Sequence, residues 1–465
     1  MLQHNQQAGA LEPTPPGQLR HHRRLDRMIT DWHTTPGKLR MTMMALVIGV
    51  LFSGGVGTYA AYARAEATRD LAERIEPLNA SVTTLYRSLA AADATVTSGF
   101  LSGSLEPNEI RNRYDEQVTR ATANLTQAGA QAGEDMVTAD RIADIAAQLP
   151  VYTGLIERAR ANNRQGLPLG VAYLERASAL MQTSILPMAE ELQRRQATQL
   201  DNAYQRAAAV PILALTASAV SLSGLIWAQL FLFQRTHRIF NIGLLAATGT
   251  VLAGLLWWTV AGMISTDYLQ GSFGHSQSMS DALGPAQIAA QQARAIESLG
   301  LVARDGETTE NDFGAQMQLL ARARPAVVGG TEVVGGALGA ARRFATDQEG
   351  QVLVKAAIDE ALGYREAHQQ VRRLDADGQY DQAVATALST PTSDPLDCPL
   401  TEDTTFGRLD CALTEAFDYE RAAFKGDIDQ AHGWLAGLAL GTGALALAAA
   451  AGVVMGIRSR LEEYR

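Results

Sequence analysis

Four stretches of the chain run without a single Asp, Glu, Lys or Arg: residues 41–63, 207–234, 239–266 and 430–457. Each exceeds the ~20 apolar residues needed to cross about 30 Å of hydrocarbon. A helix on the surface of a soluble protein keeps a charged face, and these keep none. The pattern predicts four membrane spans, placed at 41–63, 207–234, 239–264 and 433–457. The first is longer than the roughly 7–15 residues of a signal-peptide core, and "AAYARA" is only a weak imitation of a cleavage site. It reads as an uncleaved anchor.

The intervening segments, 64–206 and 265–432, change period. Both are rich in Ala, Leu, Gln, Glu and Arg, which favour helix, and strand signals are nearly absent. In the first, "SGSLEPNE", "QAGED" and "NNRQGLPLG" separate about four helices. Leu85, Leu89, Ala92, Val96 and Phe100 share one face, as do Ile142, Ile145, Leu149, Tyr152, Leu155 and Ile156. That is the pattern of a four-helix bundle. The second segment repeats the plan, with breaks at "RDGETTEND", "VVGGTEVVGG" (read as a loop), "DADGQYD" and a cysteine loop. "LGLVARDG…F" at 299–313 echoes "SGFLSG…Y" at 98–114, so the architecture reads as span, bundle, span, then the same again. The expected fold class is all-α: an integral membrane protein with four transmembrane helices and two extracytoplasmic helical-bundle domains.

Charge sets the expected orientation. Lys38 and Arg40 precede the first span, Arg235 and Arg238 lie in the 235–238 link, and Arg458, Arg460 and Arg465 follow the last span. Positive residues in short segments mark the cytoplasmic side, so both termini are expected inside, with the protein multi-pass in the plasma membrane. Residues 265–432 carry 13 basic and 26 acidic side chains, a net of −13, against −10 for the whole chain. The acidic balance lies outside and the basic inner face suits an anionic lipid bilayer; nothing supports a nucleic-acid partner. Residues 1–19 are Gln-, Gly- and Pro-rich and are expected to be disordered. In the basic segment 20–40, Leu25, Met28, Ile29 and Trp32 make a short amphipathic helix that lies on the inner membrane surface or docks a cytosolic partner.

A search for chemistry returns little. The eight histidines form no set of three or four ligands at zinc-site spacing, and no metal or cofactor is expected. His22 with Asp26, and His432 with Asp429, share helix faces but lack further ligands. No nucleophile elbow, Walker loop or kinase signature occurs, so the chain does not read as an enzyme. All four spans lack charge, which disfavours a carrier or pore. Gly433, Gly437 and Gly441 recur every fourth residue, reading as a ridge for close packing of span four, although an Ala- and Gly-rich span could produce that spacing by composition alone. The acidic stretch 375–381 reads as a solvated loop. What remains is a receptor or relay, in which a helix shift carries a signal, or a scaffold that only tethers a partner.

Three stretches carry a resemblance. Residues 368–388, "HQQVRRLDADGQYDQAVATAL", are framed by Arg372, Leu374, Asp375, Gly378, Tyr380, Ala383 and Val384; with "LYRSLAAADATVTSGFLSG" at 85–103 and "LVARDG" at 301–306 they resemble the actinobacterial GlnX-type membrane proteins. The resemblance implies a relay from an extracytoplasmic solute-binding lipoprotein, GlnH-like and specific for aspartate and glutamate, to a cytosolic Ser/Thr kinase, PknG-like, adjusting glutamate and 2-oxoglutarate metabolism. It transfers no binding residues. The competing expectation is a chemoreceptor-like sensor whose bundle binds a small ligand itself: a cavity lined by arginines would favour it, and a flat acidic or apolar patch would favour protein docking. Pairing with a second copy as a homodimer stays open.

The only two cysteines, Cys398 and Cys411, fall in the second outer segment. Outside the cytoplasm thiols oxidise, and no histidine is near enough to complete a metal site. They are expected to close a disulfide that contributes on the order of 3 kcal/mol by restricting the unfolded chain.

Overall fold

A computed structural model describes residues 35–133, 135–209, 211–236, 241–272, 278–325, 331–388, 405–435 and 437–462. The tail 1–19, most of the basic segment 20–40, Arg238 and Cys398 lie outside them. The chain divides into two compact units, Met1–Ala63 with Val210–Ala261 and Ala436–Arg465, and Arg64–Ala209 with Gly262–Leu435. In order the elements are α1 (Thr35–Asp70), a π turn (Leu71–Ile75), α2 (Glu76–Leu101), α3 (Asn108–Gln131), α4 (Met136–Arg164), α5 (Leu169–Leu180), a second π turn (Met181–Ile185), α6 (Leu186–Ala208), α7 (Ile212–Thr236) and α8 (Ile242–Ser272). Then follow α9 (Ser278–Ala303), α10 (Gly306–Leu320), β1 (Arg322–Pro325), β2 (Thr331–Gly335), α11 (Gly336–Phe344), α12 (Gln348–Ala376), α13 (Tyr380–Ala387), α14 (Thr405–Leu435) and α15 (Leu438–Glu462). Each π turn lies just ahead of a proline, Pro77 or Pro187. Proline cannot donate to the helical ladder, and its ring crowds the preceding turn, which the wider π turn accommodates.

The first unit is apolar. Among the described residues, four helices are long and apolar enough to cross a membrane. Two are shorter than their charge-free stretches. Span two does not begin at 207: α6 ends at Ala208, Ala209 is extended (φ −58°, ψ 129°), and α7 starts after Pro211. Span four does not begin at 433, because α14 runs to Leu435 and the chain turns at Gly437 (φ +78°) before α15. The ridge read from Gly433, Gly437 and Gly441 is therefore broken, since the three do not share one helix. Among the described residues only Gly441 of the three is packed, against the Trp257 ring; a Cβ on Gly433 or Gly437 would meet none of them within 4 Å. The close approach lies lower on α15, where Gly452 and Gly456 meet Gly243 of α8, and Asn241 Nδ2 donates to the Gly456 carbonyl at 2.8 Å. On α1, Gly54 lies against Ala446 and Gly57 against Thr442. Small residues are what let these backbones approach.

The second unit is polar outside and helical, and its two helical bundles, each with its own core, pack together as one compact unit. α2 and α9 are both Ala-rich, buried on nearly every side and packed on one another. Ile288 of α9 belongs to the same core as Leu85, Leu89, Tyr152 and Ile185 of the first half. The second half keeps its own core of Leu283, Phe313, Leu338, Tyr364 and Phe417 among others. Each of α2 and α9 turns into its neighbour past a tightly packed glycine: a Cβ on Gly99 would come within 3.0 Å of Ile110, and one on Gly300 would collide with Thr309. The aromatic that follows, Tyr114 or Phe313, is buried in both. One element departs from all-helix. Residues 331–335 of "VVGGTEVVGG" are the strand β2, paired antiparallel with β1 in the register Ala323↔Val333, Arg324↔Glu332 and Pro325↔Thr331. β-branched Thr331, Val333 and Val334 suit an extended chain. Gly336 closes the hairpin onto α11 at φ +76°, where a Cβ would come within 2.9 Å of the Gln318 and Leu319 carbonyls.

Candidate functional site

Four polar helix faces converge on a cavity of about 340 Å³ in the second unit. α2 supplies Arg87, Ala91, Ala94, Thr95 and Ser98, and α3 supplies Glu109, Asn112, Arg113, Glu116, Gln117 and Arg120, each set at steps of three or four residues. α9 adds Gln291 and Arg294, and the start of α14 adds Phe406, Gly407, Asp410 and Thr414. Arg87 donates to Gln287 Oε1 at 3.0 Å and lies 5.4 Å from the Phe417 ring centre. Burial holds its guanidinium below the ordinary value, against the raising fields of Asp418 and Asp410. Gln291 donates to Asp410 at 2.7 Å, and Arg120 pairs with Glu116 at 2.6 Å. The walls thus come from both halves of the chain, tied by amide and charge contacts.

Behind the cavity α9 carries a polar stripe, Gln287, Gln291, Arg294 and Glu297, all buried. Glu297 is a node. Its carboxylate accepts from Tyr364 Oη at 2.8 Å and Arg294 Nη1 at 3.0 Å, and lies 2.8 Å from His368 Nδ1. Burial alone would raise its pKa, but the His368 hydrogen bond, the Arg294 and His368 charges and the Tyr364 hydroxyl together hold it below the usual value. His368 stacks on Phe313 with ring centres 3.4 Å apart, and its Nε2 reaches Glu310 at 3.2 Å. The motif at 368–388 forms the end of α12, a turn through Gly378 (φ +74°) and α13. It packs Val371 and Ala383 against Leu101 and Leu301 at the ends of α2 and α9. Asp375 is not free in solvent, since it accepts from Arg372 at 2.7 Å.

The first half has its own buried acid. Asp93 of α2 accepts from Ser178 Oγ at 2.8 Å, Tyr152 Oη at 3.3 Å and Gln182 Nε2 at 3.3 Å. Burial pushes its pKa up from 3.8 to about 6, the three donors opposing. Between those values the folded chain holds a proton that the unfolded chain has released, so stability falls as pH rises through the window. A shift of about two units corresponds to about 3 kcal/mol. The unfolding midpoint is expected to drop from pH 4 to pH 6, with a shallower drop in Asp93→Asn. An equally steep drop in the variant would exclude Asp93 as its source. Nearby, Arg160 is 3% exposed, pairs with Glu106 at 2.8 Å and covers the Tyr114 ring at 4.4 Å.

Several residues singled out for topology come together. Ser221 of α7 donates to the Gly49 carbonyl of α1, and Gly224 lies against Leu46, so the start of α1, with Lys38 and Arg40, runs beside the end of α7, with Arg235. The Asn241 contact to Gly456 brings the start of α8 to the end of α15, which carries Arg458 and Arg460. All five cations therefore belong to the same end of the apolar unit. Cys411 is buried on α14, while its expected partner Cys398 is outside the described residues. Sequence reasoning missed Asp93, Glu297, His368 and the arginine cleft. A lone carboxylate in "AAADATV", and Gln287, Gln291, Arg294 and Glu297 at steps of three and four in an Ala-rich helix, were the available signals.

Residues 67–205 match the family model of the actinobacterial sensor domain. The match supports an actinobacterial sensor-type protein and spans α2 to α6, with Asp93, the Arg160 pair and the α2–α3 wall of the cleft. No curated protein and no solved structure matches the chain. The match covers the α2 and α3 walls of the cleft, and α9 and α14, which complete it, fall outside the match.

Proposed function

We propose that the protein is a multi-pass transmembrane sensor without catalysis of its own, its polar unit outside the cytoplasm and both termini inside. The observation that carries the sensing role is the match of 67–205 to a sensor domain. The orientation is supported by the cations gathered at one end of the apolar unit and by the net −13 of residues 265–432. In that setting Cys398 and Cys411 form a disulfide, consistent with the absence of a free cysteine among the described residues. The input is a solute-binding lipoprotein of the aspartate and glutamate class, GlnH-like, and the output is a cytosolic Ser/Thr kinase, PknG-like. Exposed leucines favour docking of a protein: Leu105 and Leu167 on loops and Leu169 at the start of α5 stand 83%, 45% and 53% exposed, and Asn163 Nδ2 near the end of α4 donates to the Gly103 carbonyl. Isolated surface leucines are ordinary, but adjoining ones mark interaction surfaces.

Affinity capture of the full-length protein in detergent, with and without aspartate, tests the relay. A solute-binding lipoprotein and a Ser/Thr kinase are expected in the complex, and Leu105→Asp should release the lipoprotein. Finding neither sinks the relay. Labelling of both thiols in the unreduced folded protein would overturn either the orientation or the pairing. A second reading, direct binding of a small ligand, is favoured by the arginine-lined cleft between α2, α3, α9 and α14.

A further inference from the structure

Most of the charged side chains around the cleft are already engaged. Arg294 is committed to Glu297, Arg120 to Glu116, and Asp410 accepts from Gln291. Arg87 differs. Half-buried on α2, it meets the neutral amide of Gln287 and the face of Phe417, and among the described residues it forms no ion pair within 4.0 Å. Asp410 and Asp418 act on it only through their fields, so a cation partly withdrawn from water lacks a carboxylate in direct contact, and an incoming anion can supply one. The planar guanidinium fork also matches a carboxylate in geometry. The same lining holds exposed Glu109 on α3 and Asp410 on α14, which can accept hydrogen bonds from a cation. The cavity therefore offers a cationic anchor and acidic acceptors in one space.

We propose that this cleft binds a small solute of the amino-acid class, with Arg87 anchoring its carboxylate and Glu109 and Asp410 receiving its ammonium group. The proposal rests on the direct-binding reading and names the chemistry of that site. Because α2 and α3 come from one half of the chain and α9 and α14 from the other, the bound solute bridges the halves and adds to the packing that holds them together.

The test uses the full-length protein in detergent, titrated with the twenty standard L-amino acids, succinate and putrescine and followed by calorimetry. At least one amino acid is expected to bind saturably, more tightly than succinate, with no binding of putrescine. Arg87→Gln is expected to weaken that binding about tenfold or more, and Arg87→Lys less. Asn112→Trp, at an exposed position of α3 on the cavity wall, should block entry without disturbing the core, and serves where Arg87→Gln fails to fold. Succinate binding as tightly as any amino acid, or putrescine binding at all, overturns the ligand class. Unchanged binding in Arg87→Gln overturns the anchor while direct binding stands, and unchanged binding in Asn112→Trp overturns the location. If no probe binds the native protein, the direct-binding reading falls with the proposal.

Discussion

Glu297→Leu is expected to destabilise the polar unit by about 3–5 kcal/mol, the usual cost of removing one partner from a buried ion pair. Arg294 is 3% exposed, so its guanidinium would remain in the interior without the carboxylate that balances it. Tyr364 Oη and His368 Nδ1 would lose the same acceptor. Glu297→Gln keeps one acceptor oxygen but not the charge and should cost less. For a unit of this size the loss corresponds to a fall of roughly 4–8 °C in the unfolding midpoint. The acid limb supplies a second readout. Since the folded pKa of Glu297 lies below 4.5, its contribution is complete above pH 4.5 and is lost as pH falls through the folded value. Glu297→Gln should lack that share of acid loss. A midpoint within 2 °C of native for Glu297→Leu would show that the node is not what holds α9 to α12.

The second large effect is expected in the apolar unit. Gly243→Val places a Cβ 2.5 Å from Gly456 Cα and 2.6 Å from the Gly452 carbonyl oxygen, and both obstacles are backbone. No rotamer relieves that clash, so α8 and α15 must separate and the Asn241 hydrogen bond to Gly456 is lost with them. Overpacking ordinarily costs about 1–3 kcal/mol, and this case should reach the upper end because neither wall is a side chain. Thermal aggregation in detergent reads it directly. Gly433→Ala is the matched control: its Cβ meets none of the described residues within 4 Å, so it should behave as native. Equal behaviour of the two variants would mean that the α8–α15 contact contributes nothing.

The contrast between those glycines shows what the amino-acid pattern conveys. A four-residue spacing reports a helix face only where one helix is continuous, and the turn at Gly437 breaks it. Gly452 and Gly456 have the same spacing and pack closely, but nothing local distinguishes them from the earlier set. The core faces, by contrast, were legible: Leu85, Leu89, Ala92, Val96 and Phe100 are all buried, because one helical period suffices to predict them. Asp93, Glu297 and the cleft were not. Their partners stand 59 to 89 residues away for Asp93, and 200 residues separate Arg87 from Gln287, distances over which periodicity says nothing. The hairpin at 322–335 was hidden for another reason, being a short apolar and Gly-rich run bordered by helix on both sides.

Ile288 gives the matched sensor segment a history in time. It completes a core whose other buried members lie between Leu78 and Leu192. A ribosome adding about 5–20 residues per second makes the start of α9 roughly 10–35 s after the end of α2. Throughout that interval α2 waits with one side uncovered while two spans, α7 and α8, are still being made and inserted. The matched residues 67–205 thus complete their core only when α9 arrives.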